Sequence, residues 1–219
     1  MHLSYLLALL PHASSLAATL PLLIGMYRLR VLNRTQCLLW GICLSELVVE
    51  QLAKVLWHQQ ANNLWLYNLL LIIEPIVWGA IYNRQFTGRV LPKVARWWAV
   101  GFVLFVVVNG IWWQPFVTTL GLHAFTALVA SMVAFALLYF AQQLKNKHML
   151  PFSSNYMLWV NSGNLLYYTG SLFYFIVLNF IKSNSPEGQL VFTMNALFNI
   201  TRMALYAKAL WMQPVAPSR

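Results

Sequence analysis

The sequence has very few acidic residues and few charged residues of either sign. Only 4 of its 219 residues are acidic, all four are Glu, and charged residues make up 8% of the chain. A soluble domain carries about 25% charged residues. Here 60% of the residues are hydrophobic, which is more apolar surface than one domain of this length can bury. The composition therefore excludes a soluble enzyme and predicts an integral membrane protein.

The sequence also lacks the residue patterns of several enzyme and receptor classes. Without Asp there is no aspartyl dyad, and neither a Gly-rich phosphate loop nor a GxSxG elbow occurs. The histidines lack the close spacing of a zinc site, so we expect no metal and no cofactor. Arg202 stands where a retinal protein needs a lysine, and arginine forms no imine. Cys37 and Cys43 lie six residues apart, which fits neither a disulfide framework nor a CxxC site.

The chain is strongly basic, with a formal net charge of +10. Because the Lys and Arg residues lie between apolar runs, we interpret them as signals of membrane orientation and not as a nucleic-acid surface. No Lys or Arg precedes Arg28. The first apolar segment therefore lacks the basic region of a cleaved signal peptide, and we expect it to remain as a helix.

Seven apolar stretches reach the length of about 20 residues that a bilayer-spanning helix needs. They cover residues 4–27, 37–57, 64–83, 95–113, 118–142, 156–181 and 190–211. Helices are expected because lipid cannot satisfy exposed backbone groups. We therefore predict an all-α membrane protein, a single seven-helix transmembrane domain over residues 1–219. The connecting loops are too short for a soluble domain, so any signalling output requires a separate protein.

The distribution of Lys and Arg predicts the orientation. Eleven of the 14 fall on the side of the loops after the first, third and fifth segments and of the C-terminal end. They are Arg28, Arg30, Arg34, Arg84, Arg89, Lys93, Arg96, Lys145, Lys147, Lys208 and Arg219. The opposite side has Lys54 and Lys182. The positive-inside rule then places the N-terminus outside and the C-terminus in the cytoplasm.

Ionisable side chains inside membrane segments are costly and are candidates for function. Glu46, Glu50 and Lys54 are spaced four apart and share one face of the second segment. Glu74 lies in the third segment and is followed by Pro75, which removes a backbone donor and can kink the helix. We single out Glu74 as the candidate functional carboxylate.

Arg202 lies in the seventh segment, where Asn195 and Asn199 form a polar stripe with it. Two interpretations stay open for these charges. Arg202 would neutralise Glu46 or Glu74 in a structural ion-pair network, because buried charges need partners. Alternatively, the same groups would line a polar cavity that binds a ligand or relays a proton.

The sixth segment, with the sequence NYMLWVNSGNLLYYTGSLFYFIVLNF, is rich in polar and aromatic residues. Asn164, Tyr167 and Tyr168 lie between two glycines, Gly163 and Gly170. Small residues allow close helix packing and polar ones bond between helices, but the same side chains would also form the floor of a tyrosine-lined pocket. His12, His123 and Tyr67 fall in the predicted outer half of the membrane, where they would line an outward-facing cavity.

Two stretches, NNLWLYNLLLIIEPIVWGAIYNRQF at 62–86 and MLWVNSGNLLYYTGSLFYFIVLNF at 157–180, resemble uncharacterised seven-helix integral membrane proteins of Bacteroidota-type bacteria. The matching positions are Glu74 in the first stretch and Trp159, Gly163, Tyr167 and Gly170 in the second. Pro75 departs from the pattern. The resemblance implies a bacterial inner membrane protein, often encoded near or fused to a sensor histidine kinase.

These observations give three functional hypotheses. The first is a membrane sensor or receptor-like module that binds a small ligand or lipid and signals to a cytoplasmic partner such as a histidine kinase. The second is a proton-coupled transporter that uses the intramembrane carboxylates and Arg202. The third is a lipid-modifying enzyme in which those carboxylates act as acid and base. We place the sensor first, expect the lipid bilayer as a partner, and leave an oligomer open.

Overall fold

The computed structural model describes residues 2–145, 154–178, 180 and 185–213. These residues form eight helices and no strand, as the apolar composition predicts. The helices are α1 (His2–Leu16), α2 (Thr19–Tyr27), α3 (Arg34–His58), α4 (Leu64–Gln85), α5 (Leu91–Trp112), α6 (Leu122–Lys145), α7 (Tyr156–Leu178) and α8 (Pro186–Trp211). Of the basic residues that predict the orientation, Lys147, Lys182 and Arg219 lie outside the described part of the chain, as does the predicted end of the sixth segment at 181.

The chain divides by packing into two compact units. Unit 1 consists of Met1–Asn33 and Met132–Arg219, and unit 2 of Arg34–Ser131. The boundary falls inside α6. In unit 1, α7 and α8 form the most extensive pair, and α1 and α2 also pack on α8. In unit 2, α4 packs against both α3 and α5.

Four stretches are long and apolar enough to cross a membrane. They are Leu9–Tyr27, which covers the end of α1 and all of α2, and the helices α4, α5 and α6. Many large apolar side chains on these helices are exposed in the chain itself; Leu104 and Ile111 on α5, for example, are 61% and 66% exposed. Apolar surface of that extent matches a lipid environment. Helices α3 and α8 are 25 and 26 residues long but carry ionisable side chains.

The first apolar segment is not one helix from 4 to 27, as predicted, but two helices separated by a turn at Ala17–Ala18. The sequence does not predict this turn, because neither of its residues is Gly or Pro. Hydroxyl side chains on either side bond to the backbone: Ser15 Oγ donates to His12 O, and Thr19 Oγ1 donates to Leu16 O. Such local bonds compete with the regular helix.

The fifth predicted segment also begins later than expected. Helix α6 starts at Leu122, not at 118, because residues 113–121 form an irregular connection between α5 and α6. Helix α3 ends at His58, and Gln60, in the connection to α4, has a left-handed conformation (φ 56°). The N–H of Ala61 then donates to Leu56 O at 2.9 Å, which closes the helix in the manner of a Schellman cap.

Each unit has its own buried core. In unit 1, Tyr168 of α7 and Met203, Tyr206 and Leu210 of α8 are at most 1% exposed. In unit 2, Val49, Ala53 and Leu66 form a buried cluster between α3 and α4. These cores place α7 against α8 and α3 against α4, and the polar candidates other than His12 and His123 lie on the same pairs of helices.

Candidate functional site

Arg202 is buried in unit 1 among aromatic rings. Its side chain is 3% exposed, and its guanidinium carbon lies 3.9 Å from the ring centroid of Tyr167 on α7. The rings of Tyr168 and Tyr206 are 5.9 and 5.6 Å away. A desolvated guanidinium on an aromatic face gains about 2 kcal/mol or more. These rings therefore hold the charge at a fixed position between α7 and α8.

Asn199, one helical turn before Arg202, connects it to the first segment of the chain. Its Oδ1 accepts a hydrogen bond from Arg202 Nη2 at 2.8 Å. Its Nδ2 donates to Ser14 Oγ at 2.9 Å and to the Ser14 carbonyl at 3.2 Å. Ser14 O also accepts from the N–H of Ala17. A single amide therefore joins the buried cation to the turn between α1 and α2.

Two further hydrogen bonds link α7 to α8 in the same unit. The hydroxyl of Tyr206 donates to Asn164 Oδ1, and both residues are fully buried. Nearer the other end of the pair, Ser171 Oγ donates to Asn195 Oδ1 at 3.0 Å. We use the name Arg202 cluster for Arg202, Tyr167, Tyr168, Asn199, Asn164 and Tyr206.

The two glycines of α7 allow this close packing. A Cβ added at Gly163 would lie 3.5 Å from Arg202 Cα, which is ordinary contact distance. A Cβ added at Gly170 would lie 2.2 Å from the ring of Phe198 on α8, so the ring would have to move. Small residues are predicted to allow close helix packing in this segment, and Gly170 is the position where a larger residue would be least tolerated.

In unit 2, Glu50 and Tyr67 form a pair. The Tyr67 hydroxyl on α4 donates to Glu50 Oε2 on α3 at 3.3 Å, and both side chains are half-buried. Glu46 and Lys54 lie one turn to either side of Glu50 on the same helix, also half-buried. A hydrogen-bonded carboxylate in a predicted membrane segment is a candidate ligand or proton site.

Glu74 is half-buried on α4 and is followed by the buried Pro75. The helix continues through the proline to Gln85. Pro75 therefore does not end the helix, although it removes one backbone donor.

The two histidines of the prediction lie in different units and are both exposed. His12 is on α1 in unit 1. His123 is the second residue of α6 in unit 2. Its Nδ1 lies 3.3 Å from Oδ1 of the buried Asn109, and its backbone N–H donates to Gln114 Oε1 at 3.1 Å. The described residues contain no group of three His, Cys, Asp or Glu placed to hold a metal ion.

Asn68 shapes the connection between α5 and α6. It is 2% exposed, and its Nδ2 donates to the carbonyls of Phe116 and Thr119 at 2.6 and 2.7 Å. Its Oδ1 accepts from the N–H of Gly121 at 2.9 Å. A side chain inside a predicted span thus fixes one end of unit 2.

The structure therefore brings together two subsets of the predicted residues. Arg202, Asn199, Asn164 and the tyrosine pair of α7 meet in unit 1, and Glu50 meets Tyr67 in unit 2. Sequence reasoning missed Tyr206, Ser14 and Asn68. Tyr206 lies four residues after Arg202, and that spacing signals a shared helix face; nothing comparable marks Ser14.

Each unit also has an apolar groove. The one in unit 1 has a volume of about 560 Å³ and lies on α6, α7 and α8, where Phe140, Leu166, Phe173 and Phe198 line it. The one in unit 2 has a volume of about 470 Å³ and lies between α4 and α5. Both volumes are in the range of small-molecule or lipid sites.

Comparison of the chain with protein-family models, curated proteins and solved structures gives no match. The resemblance to the bacterial seven-helix group therefore stays a prediction.

Proposed function

We propose that this chain is a seven-span sensor or receptor-like module of a bacterial inner membrane. It binds a small ligand or lipid at the Arg202 cluster and signals to a cytoplasmic partner. The observation that carries the proposal is the double role of Asn199, which accepts from Arg202 and donates to Ser14. A ligand that replaces Asn199 as the acceptor for Arg202 would also change the hydrogen bonds from Asn199 to Ser14, just before the turn between α1 and α2.

The chemistry of the cluster favours an anionic group in the ligand. A guanidinium has five donors in a planar fork that matches a carboxylate or a phosphate. The surrounding tyrosine rings keep the site dry, and low dielectric strengthens such a pair. Binding energy would then be available to shift α1 and α8 between two arrangements, as a sensor requires.

The predicted topology indicates on which side of the membrane a signalling partner would bind. With the N-terminus outside, the basic loops after the first, third and fifth predicted segments face the cytoplasm. A partner such as a histidine kinase would dock there.

The alternatives are a proton-coupled transporter, favoured by the Glu50–Tyr67 hydrogen bond, and a lipid-modifying enzyme using Glu46 and Glu74. Both predict activity of the purified chain in proteoliposomes, lost in Glu50→Gln or Glu74→Gln.

Site-specific photocrosslinking in native membranes tests the sensor. The crosslinker is placed at Arg30 or Lys93, in loops predicted to be cytoplasmic, and at Gln114 as a control in a loop predicted to be outside. We expect a signalling protein to crosslink from the first two positions only. Its output should change in Asn199→Leu and not in Thr201→Val, an exposed control on the same helix.

Recovery of the chain with no signalling protein from any position would contradict the proposal. So would a partner whose output is the same with Asn199→Leu as with the unaltered chain.

A further inference from the structure

The groove between α4 and α5 in unit 2 has an apolar body and a polar end. Its body is formed by side chains such as Ala80, Val103 and Leu104, and its end by Asn83 and Arg96. From Leu104 back to Arg96 the groove follows eight residues of α5, about 12 Å of helix. It therefore has the shape of a slot that is apolar along its length and polar at one end.

The groove exists because small residues bring the two helices together. A Cβ added at Gly79 would lie 2.5 Å from Ala99 Cβ and 3.0 Å from Ala95 O. Close approach at this point, with the short side chain of Ala80 beside it, leaves a furrow that larger residues would fill. Both helices are long and apolar enough to cross a membrane, so the furrow faces hydrocarbon.

The polar end of the groove is also the basic end of unit 2. Arg96 is exposed. So are Arg84, Arg89 and Lys93, which belong to the end of α4, the connection and the start of α5. The nearest acid on α4 is Glu74, nine residues before Asn83 and so about 13 Å away along the helix. Basic pockets between membrane helices are typical binding sites for anionic lipid head groups.

We propose that this groove binds one molecule of an anionic glycerophospholipid. One acyl chain lies along Ala80, Val103 and Leu104, and the phosphate accepts hydrogen bonds from Arg96 and Asn83. A zwitterionic lipid has the same phosphate, but its ammonium group would meet the basic residues around Arg96. The site therefore selects lipids of net negative charge. It involves none of the residues of the Arg202 cluster.

Native mass spectrometry of the full chain in detergent tests this proposal. The probes are phosphatidylglycerol and phosphatidylcholine with identical acyl chains, added at equal concentration. We expect clear preference for phosphatidylglycerol. Arg96→Gln should lower its retention about tenfold, the effect of one lost charge-assisted hydrogen bond. Arg30→Gln removes an exposed positive charge from unit 1 and should leave retention unchanged.

Two further variants separate binding from folding. Arg96→Lys keeps the charge and should keep most of the preference. Ala80→Trp fills the groove and should lower retention of both lipids, whereas Ala130→Trp, at an exposed position of α6, should not. Equal retention of the two lipids by the unaltered chain would overturn the proposal. Equal effects of Arg96→Gln and Arg30→Gln would do the same, as would displacement of the lipid by excess inorganic phosphate, which would indicate an ion site.

Discussion

Replacement of Asn199 by Leu removes the hydrogen bonds through which the Asn199 side chain connects Arg202 to Ser14. The variant loses the acceptor of Arg202 Nη2 at 2.8 Å and the donor to Ser14 at 2.9 and 3.2 Å. A hydrogen bond to a charged group contributes about 1.5–3 kcal/mol, and a neutral bond between membrane helices about 0.6 kcal/mol. We therefore expect the free energy of unfolding to fall by about 3 kcal/mol.

Asn195→Leu is the matched control, one turn earlier on the same helix. Asn195 accepts one neutral bond, from Ser171 Oγ at 3.0 Å, so its loss should cost about 0.6 kcal/mol. Unfolding in mixed detergent micelles, followed by tryptophan fluorescence, measures both variants. If the two substitutions were equally destabilising, the assignment of the larger effect to Arg202 would be wrong.

The same substitution should act locally on the turn at Ala17–Ala18. The N–H groups of Ala17 and Leu20 donate to Ser14 O and Ala17 O at 3.1 and 3.3 Å. Without Asn199, hydrogen exchange at these amides should become faster, while exchange in the core of α4 should stay the same. Unchanged exchange at the turn would refute the coupling between Arg202 and the first segment.

Two other predictions follow from the contacts of α7 and α8. Gly170→Ala should destabilise the chain by about 1–3 kcal/mol because the new methyl group would lie 2.2 Å from the Phe198 ring. Gly163→Ala, whose methyl has room, should be neutral or stabilising; thermal unfolding of the two variants would show the opposite ranking if this packing were wrong. Ser185→Ala removes the N-cap bond from the Gly188 N–H and should lower the free energy of unfolding by about 1 kcal/mol at neutral pH. The carboxylate of Glu187 accepts hydrogen bonds from the backbone N–H of Glu187 and from the side chain of Ser185, and these bonds hold the pKa of Glu187 below its usual value. The stabilisation by the Glu187 carboxylate is therefore present above the pKa of Glu187 in the unfolded chain and is lost as pH falls through its pKa in the folded chain. The difference in unfolding free energy between Ser185→Ala and the unaltered chain should therefore be smaller in acid.

The helices themselves were predictable from the sequence because runs of about 20 apolar residues have no other stable conformation in lipid. The break at Ala17–Ala18 was not. Beside the local bonds of Ser15 and Thr19, the turn has a contact between Ser14 and Asn199, which is 185 residues away, and a contact over that distance leaves no local pattern. The late start of α6 has a similar origin, since Asn68 of α4 fixes the connection before it.

The candidate site was predictable in its residues but only partly in its grouping. Polar side chains in apolar segments stand out, so Arg202, Asn199 and the tyrosines of α7 were found directly. Helical spacing placed Asn199 and Arg202 on one face. Which helix faces them depends on tertiary packing, and the Tyr167 ring under the guanidinium could be assigned only from the structure.

We propose above all that the Arg202 cluster holds a ligand. This proposal is tested most directly by purifying the chain from native membranes and identifying the small molecules that remain bound. We predict a molecule with a carboxylate or phosphate group that is retained by the unaltered chain and by Arg96→Gln but lost from Arg202→Gln. The same bound molecules in the unaltered chain and in Arg202→Gln would contradict it.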